Sequence, residues 1–174
     1  MPGKRNKRGK RREGMPLYEN GLHECTLDTL SKKCVRPFVG SRLRPIIMKQ
    51  LADFIEKIQA HGFTGDLWVD GSFVTETFNP EDVDLFFRPD ERFSCNGDCT
   101  DEQRECLRWI RLLRSEDDTG ERKIQVFLLH TFPEDHVLRS TVEWLPGYFQ
   151  DQFSRNSAWG GKGIAVIRVG GERQ

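Results

Sequence analysis

Two aspartates, Asp82 and Asp84, bracket Val83 in the stretch EDVDLFF, and a Gly71-Ser72 pair precedes them behind the apolar run Leu67-Trp68-Val69. In a strand, residues two apart point to one face, with Cα atoms roughly 6.6 Å apart. Asp82 and Asp84 then aim together while Val83 and Leu85 turn into a core. Two carboxylates about 5 Å apart repel by roughly 3 kcal/mol at an effective dielectric of about 20, so the pair asks for a cation. Magnesium (or manganese) suits it, being hard, oxygen-loving and ordinarily held by one or two carboxylates together with substrate phosphates. Gly71 lets backbone approach a ligand closely. If Ser72 opens a helical turn through Phe73-Val74-Thr75, N–H groups there can receive phosphate, and the Ser72 hydroxyl can add to them. The two elements together read as a site for a magnesium-bound nucleoside triphosphate.

Residues 43–61, LRPIIMKQLADFIEKIQAH, must form a helix, with Leu43, Ile46, Ile47, Leu51, Phe54, Ile55 and Ile58 recurring at the helical period. Ser41 can cap it, Pro45 suits its first turn and Gly62 ends it. Its single apolar face calls for a sheet. Leu67–Val69 is one strand, Asn79-Pro80 a turn, Val83–Phe87 the next strand, stopped by Pro89. Residues 101–114 read as a helix, 123–129 as a strand, and 164–169 as a last strand. Residues 136–154 have a helical pattern that Pro146 and Gly147 should interrupt. Residues 15–40 read as an irregular lead-in with one short helix from Thr26 to Cys34. The fold class expected is α/β (α+β), a mixed sheet of about four to five strands packed against helices.

An apolar strand, Gly-Ser, a gap of nine residues and then Asp-apolar-Asp resembles the signature of the nucleotidyltransferase superfamily related to DNA polymerase beta. The preceding amphipathic helix strengthens the likeness. The phrases ENGLHECTLDTL, DGSFVTETFNPEDVDLFF and GYFQDQF…GKGIAVIRV resemble a small uncharacterised bacterial and phage family of minimal nucleotidyltransferase-like proteins. The resemblance implies a nucleotidyltransferase-like fold, metal on Asp82 and Asp84, and the β- and γ-phosphates on Gly71 and Ser72. It also implies a third carboxylate from a neighbouring strand. The matching strand here is Ile124-Gln125-Val126-Phe127, and Gln125 stands at the acid's place. In active members that acid is thought to help deprotonate the attacking hydroxyl and to hold a second metal, whereas Gln125 is neutral and can offer only an amide oxygen, so that a two-metal displacement is in doubt while one metal could still hold the triphosphate. Glu121 shares the face of Lys123 and Gln125 and is a candidate substitute, although it is four residues off. Asp117 and Asp118 in the preceding turn, and Asp135 and His136 beyond the strand, are the other nearby groups. Lys123 can meet a phosphate or neutralise Asp84.

The whole chain of 174 residues is formally neutral, but residues 1–14 carry seven Lys/Arg and one acid, leaving −6 on the remainder. Residues 1–14 read as a disordered basic tail and residues 15–174 as a single domain, with Met15 as an alternative start. Basic residues between 4 and 12 could attract RNA phosphates or simply be solvated. No secretory signal or bilayer-length apolar run is visible, so the expectation is a soluble cytoplasmic protein without membrane contact. Cys95, Cys99 and Cys106 form half of a zinc pattern, weighed against ordinary free thiols. Asp70 reads as a turn residue, His130 and His136 as structural or surface groups, and Trp144 and Trp159 as core or interface mass. Trp109, flanked by Arg108 and Arg111, reads as core with base stacking as the sharper option.

Three functions compete on this reading. The first is an enzyme moving a nucleoside monophosphate from a magnesium-bound triphosphate to a hydroxyl on RNA or protein. The resemblance permits a toxin–antitoxin or phage-conflict context for it. The second is a catalytically degenerate module of the same fold that binds nucleotide, nucleic acid or a partner protein. The third is structural, with Asp82 a turn residue and Asp84 paired to Lys123.

Overall fold

The computed structural model describes residues 14–93, 98–115, 119–132, 135–137 and 161–171. The basic tail at 4–12, Cys95, Asp117, Asp118, Trp144, Trp159 and nearly all of the pattern at 136–154 lie outside the described residues. Among those described, the elements run β1 (Gly21–Glu24), α1 (Leu27–Cys34), α2 (Leu43–Ala60), β2 (Gly65–Asp70), β3 (Val83–Pro89), α3 (Asp101–Leu112), β4 (Ile124–Leu128) and β5 (Gly163–Val169). Short 3₁₀ turns at Ser72–Val74 and Glu91–Phe93 follow β2 and β3. The sheet has five strands in the order β1-β5-β2-β3-β4. The β2 strand is antiparallel to both its neighbours, while β4 runs parallel to β3 and β1 parallel to β5. The chain therefore has the expected class, a mixed sheet of five strands packed against helices.

Alternation along the strands sorts side chains by face. Leu67, Val69, Val83, Leu85, Phe87 and Val126 join the main core with α1, α2 and α3. Trp68, Phe86, Ile164 and Val166 form a smaller cluster on the opposite face. All three helices thus cover one side, and Asp70, Asp84 and Gln125 have the parity of the other. Local chemistry explains the helix starts. The Thr26 and Thr29 side chains cap one another's backbone N–H groups at α1, and Thr100 and Gln103 do the same at α3. The Ser41 hydroxyl accepts from the Arg44 N–H at 3.3 Å, as its position before α2 suggested. The lead-in is less irregular than expected. Residues 21–24 form an edge strand, because parallel pairing to β5 satisfies their backbone although they carry no apolar run.

One side chain ties the helical layer to the segment after β2. Arg44, fully buried in the first turn of α2, donates to the carbonyls of Cys34 (2.5 Å), Phe73 (2.8 Å), Thr75 (2.5 Å) and Thr77 (2.6 Å). The Phe38 ring lies 3.6 Å from its guanidinium carbon. Burial lowers its pKa to about 10, so it remains a cation at neutral pH. Arg44→Met should leave these carbonyls without their donor. We expect a loss of about 3 kcal/mol or more, read as a lower denaturant midpoint with an unchanged slope.

Burial also marks the thiol and phenol behind α1. It pushes Cys34 up to about 12 and raises Tyr18 well above its ordinary value. Both groups are neutral in the folded state at pH values where the unfolded chain ionises them. Their stabilisation is complete below about pH 9 and is lost as pH rises towards 12. Equilibrium unfolding across that range should show falling stability, with a shallower slope in Tyr18→Phe.

Candidate functional site

The β2 strand ends at Asp70, and Gly71 then turns the chain with φ 82° and ψ −166°, backbone that an L side chain rarely adopts. Ser72 opens the 3₁₀ turn foreseen from the sequence. Its carbonyl accepts from the Thr75 N–H at 3.3 Å and the Thr75 hydroxyl at 2.8 Å. The turn packs directly on the acid strand. A Cβ placed on Gly71 would lie 2.9 Å from Asp84 Oδ2 and 3.2 Å from the Asp84 nitrogen. The Gly-Ser pair and Asp84, twelve residues apart or more in the chain, are therefore one wall.

Register supplies the rest. Asp84 lies opposite Asp70 across the antiparallel β2–β3 ladder and beside Gln125 in the parallel β3–β4 ladder. Adjacent strands are about 4.8 Å apart, so these three positions form a row across the sheet. Asp82 is exposed and sits immediately before β3. Lys123 sits immediately before β4, where its carbonyl accepts from the Val83 N–H at 2.9 Å and its own N–H donates to Gln50 Oε1 at 2.6 Å. Gln125 donates its side-chain amide to the Arg114 carbonyl, at the sheet edge where α3 ends. The place beside Asp84 that the resemblance reserves for a third acid is thus held by an amide engaged with backbone.

Glu121 does not make up the difference. It borders a groove of about 380 Å³ together with Phe54, Lys57, Trp109 and Ile124, on the helical side of the sheet. Trp109 belongs to the same groove, packed on Phe54 at 5.8 Å between ring centroids, with the Lys57 ammonium 3.7 Å above it. It is packing mass on the face away from Asp84. His130 lies five residues beyond Gln125, roughly 16 Å along the strand direction. Burial, with Arg111 nearby, holds its pKa below the ordinary imidazole value. His136 stacks on Phe132 at 4.5 Å. Cys99 donates its thiol to the Phe93 carbonyl at 3.6 Å, and Cys106 is buried on α3. Both are free thiols, and among the described residues no group of three or more His, Cys, Asp or Glu could hold a metal.

Asp70 departs from its reading as a turn residue. It is the fully buried last residue of β2, and the Lys162 ammonium lies 3.0 Å from its Oδ1. The same ammonium donates to the Gly71 carbonyl at 3.2 Å. Lys162 is only 4% exposed and precedes β5. Sequence reasoning missed it, because a lysine among glycines reads as a solvated loop. The signal was its place one residue before a strand, inside Gly-Gly-Lys-Gly.

A family of unknown function (DUF6932) matches residues 12–168. The chain belongs to the DUF6932 family. No curated protein and no solved structure matches this DUF6932 chain. Asp82, Asp84 and the close-packed Gly71 all fall within the matched span.

Gly71→Ala tests the wall itself. The new methyl group would meet the Asp84 carboxylate and would force an L residue into positive φ. We expect a loss of about 1–3 kcal/mol, measured by thermal or denaturant unfolding, whereas Gly120→Ala at an open positive-φ position should cost less.

Proposed function

We propose that this protein binds a nucleoside triphosphate with magnesium or manganese on the face of its sheet opposite α1, α2 and α3 and acts as a nucleotidyltransferase. The observation that carries this reading is the packing of Gly71 on the Asp84 carboxylate, which makes a phosphate-approachable backbone and a hard anionic ligand parts of one surface. The donor set fits such a metal. Asp82 and Asp84 offer carboxylate oxygens, and the remaining ligands would come from the triphosphate and water. Bound there, the metal would neutralise phosphate charge and orient the triphosphate. The Gly71–Ser72 backbone and the Ser72 hydroxyl would receive the β- and γ-phosphates, and Lys123, before β4, would add a positive charge nearby.

Transfer of the nucleoside monophosphate to a hydroxyl would rest on positioning and charge neutralisation. Gln125 offers no base beside Asp84, and a second metal would lack its third carboxylate. The acceptor would be a hydroxyl on RNA or on a protein. The basic residues at 4–12 favour RNA by charge, and a toxin–antitoxin or phage-conflict setting accords with the resemblance. The engagement of Gln125 with the Arg114 carbonyl favours a second reading, a module that keeps the nucleotide site and has lost turnover, serving to bind nucleotide, nucleic acid or a partner protein. Among the described residues no helix is long and apolar enough to cross a membrane, and a triphosphate substrate accords with a cytoplasmic location.

Calorimetric titration with ATP, GTP, CTP and UTP, with and without magnesium or manganese, tests the site. One triphosphate should bind only with metal, and Asp82→Asn and Asp84→Asn should each weaken it at least tenfold. A folded wild-type protein that binds none of the four would overturn the nucleotide reading. If binding is present, transfer of labelled nucleotide to added RNA or protein by the wild-type chain separates the two functional readings, since a transferase should label the acceptor with Gln125 in place and a module that has lost turnover should not.

A further inference from the structure

The buried pair Lys162–Asp70 is poorly explained by stability. Both groups are withdrawn from water, and a buried ion pair seldom stabilises more than apolar residues of similar volume. Its surroundings show that the fold is shaped to deliver the lysine. A Cβ on Gly163 would lie 2.0 Å from the Glu19 carbonyl oxygen, and one on Gly161 would lie 3.1 Å from the Asn20 side chain. Gly163 leaves no room for a side chain against the segment before β1, and Gly161, at φ 151°, packs closely on the Asn20 side chain. That approach sets Lys162 beside the end of β2, where one ammonium meets both the Asp70 carboxylate and the Gly71 carbonyl. The Gly71–Ser72 turn is then gripped from two sides, by Lys162 from the β5 side and by the Asp84 strand from the other.

We propose that Lys162 is a positioning residue of the nucleotide site. Its ammonium fixes Asp70 and the Gly71 carbonyl, and through them holds the Gly71–Ser72 backbone at the distance from Asp84 that phosphate and metal require. The inference rests on the nucleotide reading for its purpose, but the grip on the turn can be measured without any ligand. Neutralising Lys162 alone would strand a buried carboxylate. The informative variant is therefore Asp70→Asn combined with Lys162→Met, which removes both charges at nearly constant volume.

Two measurements on the full chain decide the matter. In amide hydrogen exchange, Ser72, Phe73 and Val74 should exchange at least tenfold faster in the double variant, with β2 and β5 interior amides unchanged. In calorimetry with magnesium and the four ribonucleoside triphosphates, affinity should fall at least tenfold while the melting temperature stays within a few degrees. Unchanged exchange in the turn, or unchanged affinity in a variant of altered exchange, would overturn the proposal. If the wild type binds no triphosphate, the nucleotide reading fails, and the exchange result alone still decides whether Lys162 positions the turn. Should the double variant not fold, Asp70→Leu combined with Lys162→Met carries both measurements, because it removes both charges and puts apolar groups in place of the buried pair.

Discussion

A buried guanidinium satisfied by main-chain carbonyls is the constraint on which this architecture turns. Arg44 collects the carbonyls of Cys34, Phe73, Thr75 and Thr77 around one planar group. Those oxygens belong to the end of α1 and to the irregular chain that follows the Gly71–Ser72 turn. Irregular backbone inside a protein must have its polar groups paired, and here a short 3₁₀ turn and a single bridge from Pro16 to Thr75 do only part of it. A fork of several N–H donors in fixed geometry answers that need in a way that a lysine could not. The segment 73–77 is therefore anchored from the helical side, which leaves the turn before it free to be shaped by the sheet.

The two faces of the sheet divide the work. One carries the three helices and the large apolar core. The other carries Asp70, Asp84 and Gln125 in a row, with Lys162 at its margin. Strand parity alone produces this separation. Any substitution that shifted the β2–β3 register by one residue would carry Asp84 into the helical core and Leu85 out of it. The acids are thus held by the same alternation that builds the core.

Much of this was legible. The α2 stripe follows from its helical period, its start from Ser41, and the Gly71–Asp84 association from residue types at a familiar spacing. What escaped reading has a common cause, which is that pairing partners across a sheet carry no local mark. The β1 strand has four residues and no apolar run, and only β5 makes it a strand. Asp70 resembles many turn aspartates until its partner, 92 residues away, is known. Arg44 resembles a solvated helical arginine because its carbonyl partners come from unrelated parts of the chain. Glu121 has the parity of Gln125 on paper. The groove it borders lies on the other side, since it precedes the strand and escapes its alternation.

The placement of β5 has a consequence for how the protein is made. This strand lies between β1 and β2, although it is the last described strand to be synthesised. During translation the Gly71 turn, Asp84 and Gln125 leave the ribosome well before Lys162, and β1 waits for a neighbour through some 140 residues. Contacts of such long separation form slowly, because the loop entropy is lost before they stabilise anything. The nascent chain can assemble α2, β2, β3 and β4 early, but with β2 as an open edge. The end of β2 therefore gains its last contact only when β5 inserts and closes that edge, so that a partly made chain has Asp70 and Asp84 in place and lacks the buried ammonium beside Asp70.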